Sequence, residues 1–394
     1  MSPNYYEFNN PPKLLSGTYA LENIPGTLKD LKAERPLLLC DRMLEKIGIL
    51  QIVIDAMASG GAAPAGSFTE IPPDSSSQVV NQIAALYRSL NCDSLIAVGG
   101  GSVLDTAKGV KILISQDSDD IKKLMGYEAI DCGRRVPFLA VPTTAGTGSE
   151  ATMVAVILDP VNKIKMEFIS SHLLPDVAVL DPRMTLTLPP RTTASTGMDA
   201  LCHAMEAYTC LQKNPVSDAF AVVALEIIRE NLHTAVHNGK DVKARQAMAN
   251  AAFMAGAAFS NSMVGMIHAI GHALGGVCHV PHGEAMTILM PYCMEFNLEL
   301  LDDLYGKLLL YIAGVEVYTK TPPKERGRKT ISWIRQMTSE FHESCGLPMR
   351  LRETKATKED FERVSQTAMK DGAMIVNPKQ VSRQDVLNIL EKAY

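Results

Sequence analysis

The chain has 394 residues, more than one hydrophobic core usually organises, so two domains are expected. Apolar residues make up 46% and charged residues 21%, the ordinary balance of a soluble globular protein. A net charge of -5 with no basic block argues against nucleic acid as the main partner, and no basic amphipathic stretch suggests a membrane surface.

Residues 1–12 are polar and lack an apolar core, so no secretory signal is expected and the cytoplasm is the expected compartment. The eight cysteines form no Cys-x-x-Cys pair and read as reduced core residues. Cys132 is one of them, and Cys202 and Cys278 flank candidate ligands. Adjacent residues on a helix point in different directions, so neither is taken as a ligand.

The first half alternates short apolar runs with segments of helical period. Residues 36–40 (PLLLC), 94–98 (SLIAV), 136–141 (VPFLAV) and 177–180 (VAVL) read as strands. Residues 76–90 and 103–115 read as helices. Such alternation predicts a parallel sheet covered by helices.

Gly99-Gly100-Gly101-Ser102 follows the second of these strands and opens a helix. Glycine lets the backbone approach a phosphate closely, and the free N–H groups of a helix start hold an anion. Ser102 is placed to cap that helix, and Asp105 to complement its dipole. A second loop, residues 142–150 (PTTAGTGSE), also follows a strand directly. Its hydroxyls and glycines suit a dinucleotide, and both loops belong at the carboxyl edge of one sheet. Asp41 closes the first strand, where a carboxylate binds ribose hydroxyls and repels a 2′-phosphate. That favours NAD, with NADP left open by the neighbouring Arg42. The acidic residue precedes the glycine loop, so this is not the usual dinucleotide fingerprint.

After Leu188-Pro189-Pro190 the strand signals nearly vanish, and Ala-, Met- and Leu-rich helical segments run to the C-terminus. The expected organisation is an α/β domain over residues 1–187 and an all-helical domain of seven or more helices over 188–394. The apolar stretch 249–266 is broken by Gly, Ser and Asn, and reads as a buried helix pair rather than a membrane span. Residues 319–328, basic and proline-containing, read as a solvated loop.

His268, His272, His279 and His282 lie within fifteen residues of a chain with nine histidines. Asp199 and His203 stand four apart, as do His268 and His272, so each pair shares a helix face. Buried histidines need partners, and imidazole with carboxylate is a metal-ligand set. Six residues are candidates, and spacing alone does not choose among the histidines. Glu206, one turn beyond His203, is an outside candidate that reads more readily as a surface carboxylate or one behind a ligand than as a ligand itself. The Gly275-Gly276 pair is expected to end the helix that carries His268.

Taken together, GGGSVLDTAK, PTTAGTGSE, LLPDVAVLDP, TGMDALCHAMEAY, AFSNSMVGMIHAIGHALGG and the C-terminal NPKQVSRQDVLNILEKAY resemble the iron-containing (group III) alcohol dehydrogenases over nearly the whole chain. The resemblance implies a dehydroquinate synthase-like superfamily fold: an N-terminal α/β dinucleotide-binding domain with a parallel sheet, then an all-α catalytic domain. It implies metal ligation by Asp199, His203, His268 and His282. His272 becomes a catalytic non-ligand near the substrate, and His279 has no role. Cofactor contacts fall on Asp41, Gly99, Gly100, Gly101, Ser102, Thr143, Thr144, Thr147, Ser149 and Lys165. The family often reads Pro-Asn-Pro-Thr where this chain reads Ile71-Pro72-Pro73-Asp74-Ser75, so either Asp74 replaces the usual asparagine contact or the adenosine end is held differently.

The implied activity is metal-dependent, NAD(P)-linked interconversion of primary alcohols and aldehydes by hydride transfer. Fe(II) is the family's metal, and Zn(II), Ni(II) or Co(II) also suit one carboxylate with three imidazoles. Phe259, Met263 and Val264 read as core residues first, and as candidates for an apolar substrate pocket second. A homodimer is implied, by edge pairing of N-terminal strands, and the small-molecule alcohol or aldehyde is the other expected partner. Polyol oxidation of the glycerol dehydrogenase kind is the nearest alternative. The cyclisation run by dehydroquinate synthases is disfavoured, because the ligand segments are poor in Lys and Arg. A non-catalytic NAD- or metal-binding regulator is the alternative from another class.

Overall fold

The computed structural model describes residues 5–125, 130, 133–162 and 164–394; Cys132 lies outside them. The chain divides into two compact units. One spans Asn9–Thr187, and the other Leu188–Tyr394 together with the N-terminal segment up to Phe8. Phe8 belongs with the second because its ring stacks on Phe220 with centroids 5.8 Å apart.

The first unit is a six-stranded parallel sheet in the order β1-β8-β5-β4-β2-β3. Its strands are β1 (Lys13–Ser16), β2 (Pro36–Leu39), β3 (Gly66–Phe68), β4 (Ser94–Gly99), β5 (Phe138–Pro142) and β8 (Val177–Leu180). The inner strands are buried on both faces, which is why they read as unbroken apolar runs. Alternate side chains feed different cores: Leu37, Leu39, Leu95 and Ala97 join one layer, and Leu38, Cys40, Ile96 and Val98 the other. The helices are α1 (Ile24–Asp30), α2 (Arg42–Lys46), α3 (Ile49–Ser59), α4 (Ser77–Ser89) and α5 (Gly101–Ser115). Ser76 caps α4 through the Val79 N–H, and Asp41 caps α2 through the Leu44 N–H.

Strands β1 and β3 were not anticipated. They are edge strands of four and three residues, too short and too exposed to leave an apolar signature. Nor was the antiparallel pair β6 (Val154–Asp159) and β7 (Ile164–Ile169), which stands apart from the main sheet.

In the second unit, the described residues form nine α-helices. They are α6 (Pro190–Thr209), α7 (Pro215–His237), α8 (Val242–Ser260), α9 (Met266–Cys278), α10 (His282–Ala313), α11 (Val315–Lys320), α12 (Arg326–Cys345), α13 (Phe361–Ala368) and α14 (Arg383–Ala393). Proline at the first position opens α6 and α7, and Asn214 closes a capping box on Ser217. Helix α6 packs against α7, α8 and α10. The apolar stretch 249–266 falls across the end of α8 and the start of α9. The basic stretch 319–328 is helical at both ends rather than a loop throughout, with α11 running to Lys320 and α12 starting at Arg326. No helix among the described residues is long and apolar enough to cross a membrane.

Candidate metal centre and nucleotide loops

The pairing of Gly99 with Pro142 puts the glycine loop and the Thr/Gly loop side by side at the carboxyl edge of the sheet. They are joined directly, since the Thr143 N–H donates to the Gly99 carbonyl at 3.0 Å. A methyl group at Gly99 would meet the Val103 side chain at 2.5 Å, and one at Gly101 would meet Thr147 at 3.1 Å. That packing favours glycine at both positions, so no side chain stands over the first residue of α5.

The expectation that Ser102 caps α5 is wrong. The cap residue is Gly100, without a side-chain bond, and the Ser102 hydroxyl donates instead to the Pro73 carbonyl. Asp105 is not in the first turn either. It turns inward, and its carboxylate accepts from the Ser149 hydroxyl at 2.8 Å and the Val156 N–H at 3.1 Å.

Lys108, fully buried, completes this arrangement. Its ammonium donates to Ser149 Oγ at 2.9 Å, Thr152 Oγ1 at 2.8 Å and the Val154 carbonyl at 2.7 Å, and lies 4.0 Å from Asp105. Burial drives the Lys108 pKa down to about 8 against the opposing pull of Asp105 and Glu150. Burial likewise pushes Glu150 up to about 7 and raises Asp105, with Lys108 opposing both. Lys108 was overlooked in the sequence. Its signal was a lysine among Leu104, Ala107 and Ile112, three residues after an aspartate.

Among the other expected cofactor residues, Thr143 and Ser149 are buried, and Thr144 and Thr147 are half-buried beside the glycine loop. Asp41 spends one oxygen capping α2 at 2.9 Å. Arg42 is engaged by Glu70, so its guanidinium is not free. Lys165 lies 3.5 Å from Asp74, which pairs these two expected residues.

In the helical unit, Asp199, His203, His268 and His282 each offer a ligand atom, and the four atoms lie within 4.8 Å of one another. Asp199 Oδ1 is the hub. It is 3.7 Å from His203 Nδ1, 3.8 Å from His268 Nε2 and 3.3 Å from His282 Nε2. Helix α6 supplies the first two residues on one face, α9 the third, and His282 is the first residue of α10. Gly283 makes that last approach possible. A methyl group there would lie 2.5 Å from the Ser195 carbonyl on α6, one turn before Asp199.

Asp199 Oδ1, His203 Nδ1 and His268 Nε2 are buried and have no hydrogen-bond partner. Such atoms cost on the order of 1–3 kcal/mol each unless something answers them. Three of them facing one point, one anionic and two imidazole nitrogens, fit a divalent cation. The protonation of three of the four fits too. Burial alone would raise Asp199, but the surrounding histidines hold it well below the usual carboxylate range. Burial lowers His203 and His282, which keeps them neutral as ligands must be. Burial also works to lower His268, but Cys202, Asp199 and Glu206 around its ring outweigh it and raise it.

The other two histidines separate from this group. His272 lies beside it, ring stacked on His282 with centroids 5.4 Å apart, and its Nδ1 is 2.8 Å from Asp371 Oδ2. Asp371 is 99 positions away, and nothing in the sequence pointed to it. His279 is exposed and sits in the left-handed region (φ 55°) as the C-cap of α9. The helix therefore runs through Gly275-Gly276 rather than ending there. Phe259 stacks flat on His203 at 4.3 Å; Val264 is buried and Met263 adopts φ 68°.

Comparison with known proteins bears on both units. A family model described as "Iron-containing alcohol dehydrogenase" matches residues 11–182. One described as "Fe-containing alcohol dehydrogenase family, C-terminal" matches residues 193–394. The chain is 34% identical over 383 residues to the NAD-dependent methanol dehydrogenase of Bacillus methanolicus, covering 97% of this chain and 98% of that one. It is 32% identical over 396 residues to the 1,3-propanediol dehydrogenase of Klebsiella pneumoniae, covering all of both. A crystal structure of a 1,3-propanediol oxidoreductase superposes with a TM-score of 0.93 at 31% identity, covering 99% of this chain and 100% of that one.

Proposed function

This chain belongs to the family of iron-containing alcohol dehydrogenases, and on that premise we propose that Asp199, His203, His268 and His282 hold its divalent metal, Fe(II) by family. The chain is a metal-dependent, NAD-linked enzyme that interconverts alcohols and aldehydes. The observation that carries the ligand assignment is the convergence of three buried, unpartnered ligand atoms on one point. A regulator that bound NAD alone would have no need to keep them.

When bound, the metal supplies Lewis acidity toward an alcohol oxygen, and the nicotinamide supplies the hydride acceptor. The protein's own part is positional. The start of α5 offers backbone N–H groups, and Thr144 and Thr147 beside it offer hydroxyls, to the pyrophosphate. Asp41, with one carboxylate oxygen left beyond its cap, takes the ribose hydroxyls, and Lys165 with Asp74 lies near the same sugar. Asp371 accepts from Nδ1–H of His272, which leaves Nε2 of His272 to take the hydroxyl proton as the substrate carbon loses hydride. Phe259 covers one face of His203 and gives the site an apolar wall, which suits small primary alcohols. The printed names of the relatives, methanol and 1,3-propanediol dehydrogenases, support small substrates of one or two hydroxyls.

The chain is further read as a cytoplasmic homodimer. All seven cysteines among the described residues are free thiols, as a reducing compartment would keep them. Strand β1 lies at the edge of the sheet with Leu14 exposed, an edge that a second copy could extend.

The test is metal analysis of anaerobically purified protein, joined to a panel of mono- and diols with NAD and NADP. One equivalent of metal and NADH formation on primary alcohols are expected. Undiminished turnover after complete removal of metal would refute the assignment.

A further inference from the structure

We propose that Glu206 is the positioning residue of the metal centre: it fixes which nitrogen of His268 faces the metal and anchors the helix that carries that histidine. This rests on the ligand assignment above.

Glu206 follows Asp199 and His203 on α6 at the spacing that keeps all three on one face, and it is buried. Its two oxygens do different things. Oε1 accepts from the Ile267 N–H at 2.9 Å, and Oε2 lies 2.5 Å from His268 Nδ1.

The first bond is a helix cap. Ile267 is the second residue of α9, where backbone N–H groups have no partner within the helix. The cap residue of α9 is Gly265, which has no side chain to offer. Helix α6 therefore supplies through Glu206 the acceptor that α9 lacks. The fit is close, since a methyl group at Gly265 would come within 2.8 Å of Glu206 Oε1. The positive end of α9 in turn favours the carboxylate's charge.

The second bond sets the tautomer. An ionised carboxylate only accepts, so the proton between it and His268 resides on Nδ1. The lone pair is then on Nε2, the atom 3.8 Å from Asp199 Oδ1 and without any hydrogen-bond partner. Cys202 is no rival for Nδ1. Its sulfur is 3.9 Å away, against 2.5 Å for Glu206 Oε2. One side chain on the helix of two ligands thus orients a third ligand on another helix and anchors that helix in place. Carboxylates behind metal-bound histidines typically change metal affinity 10–100-fold.

The experiment uses Co(II) as probe on the full chain. Parent and Glu206→Gln proteins are stripped of metal, reloaded, and titrated with a chelator, while the Co(II) visible spectrum reports the ligand set. Glutamine keeps the volume and an acceptor for Ile267, but it removes the charge. The expected result is that Glu206→Gln holds Co(II) 10–100-fold more weakly with a similar melting temperature. Glu206→Ala should lose both affinity and melting temperature. In the parent loaded with Zn(II), 15N spectra of histidine should show His268 protonated at Nδ1 and coordinated through Nε2, a reading that needs no variant to fold. Equal Co(II) affinity of parent and Glu206→Gln overturns the inference, as does coordination of His268 through Nδ1. If the parent itself binds no stoichiometric Co(II), the ligand assignment fails first, and this inference falls with it.

Discussion

The nucleotide loops and the four-residue cluster both gather buried polar groups, but they settle them in opposite ways. Around the loops, Lys108 finds three acceptors and Asp105 two donors, with Ser149 Oγ donating to one and accepting from the other. In the helical unit, three buried ligand atoms find no partner at all. A satisfied network fixes backbone shape, because moving any member breaks several bonds at once. An unsatisfied set facing one point holds lone pairs ready for a cation. The first region presents backbone to a ligand; the second presents side chains.

The hardest blow to this contrast is Asp199→Ala. It removes the hub oxygen, which is the only anionic member of the set of four. Bound metal should vanish, and alcohol-dependent NADH formation should fall by about a thousand-fold or more, since Lewis-acid assistance contributes several kcal/mol. The nucleotide unit should still bind NADH. Elemental analysis and NADH fluorescence titration measure the two sides. A variant that keeps its metal would show that the cluster is not the binding set.

The matching blow to the other region is Lys108→Met. It leaves the buried Glu150 and the half-buried Asp105 without the cation that favours their charge, and breaking a buried pair typically costs about 3–5 kcal/mol. It also unties Ser149 and Thr152 from α5. We expect a large drop in unfolding midpoint and about tenfold weaker NAD binding, with metal content unchanged. Chemical denaturation and NAD titration give the answer. An unaltered NAD affinity would mean that the network supports the fold but not the loop.

What the sequence disclosed follows the same division. Strands buried on both faces announce themselves as apolar runs, so β2, β4, β5 and β8 were legible within two residues. Edge strands β1 and β3 and the hairpin β6–β7 were not, because short or half-exposed strands carry no such run. The four residues of the cluster could be chosen from six candidates only through family resemblance; periodicity by itself left His272 and His279 standing. Coordinates separate them physically, through Asp371 for the one and an exposed left-handed turn for the other. Ser102 misled because a serine beside a helix start reads as a cap, whereas the helix begins at Gly101, two residues before that cap would start it. Lys108 and Glu206 were missed or left undecided for one reason: their meaning lies in partners 41 to 62 positions away.

A finer probe of the loop network uses pH. Burial raises Glu150 from about 4.5 to about 7 in the folded chain. Folding therefore favours the protonated form, and that stability is present below pH 4.5 and lost as pH rises through 7. Glu150→Gln stays neutral throughout. Its stability relative to the parent should climb between pH 4.5 and 7 and then level off, by up to roughly 3 kcal/mol at 1.4 kcal/mol per unit. Urea midpoints at pH 5 and pH 8 suffice. Parallel curves for the two proteins would mean that Glu150 is ionised at little cost, with Lys108 as its full compensation.

The smallest expected effect concerns His279, three residues from His282 but outside the cluster. It is exposed, and it holds a left-handed conformation that costs an L-residue about 1 kcal/mol. His279→Gly removes that strain, although glycine also gains entropy in the unfolded chain. The net gain should be about 0.5 kcal/mol, seen as a slight rise in unfolding midpoint, with metal content and turnover as in the parent. Loss of metal from this variant would return His279 to the ligand set and break the separation between the answered and the unanswered histidines.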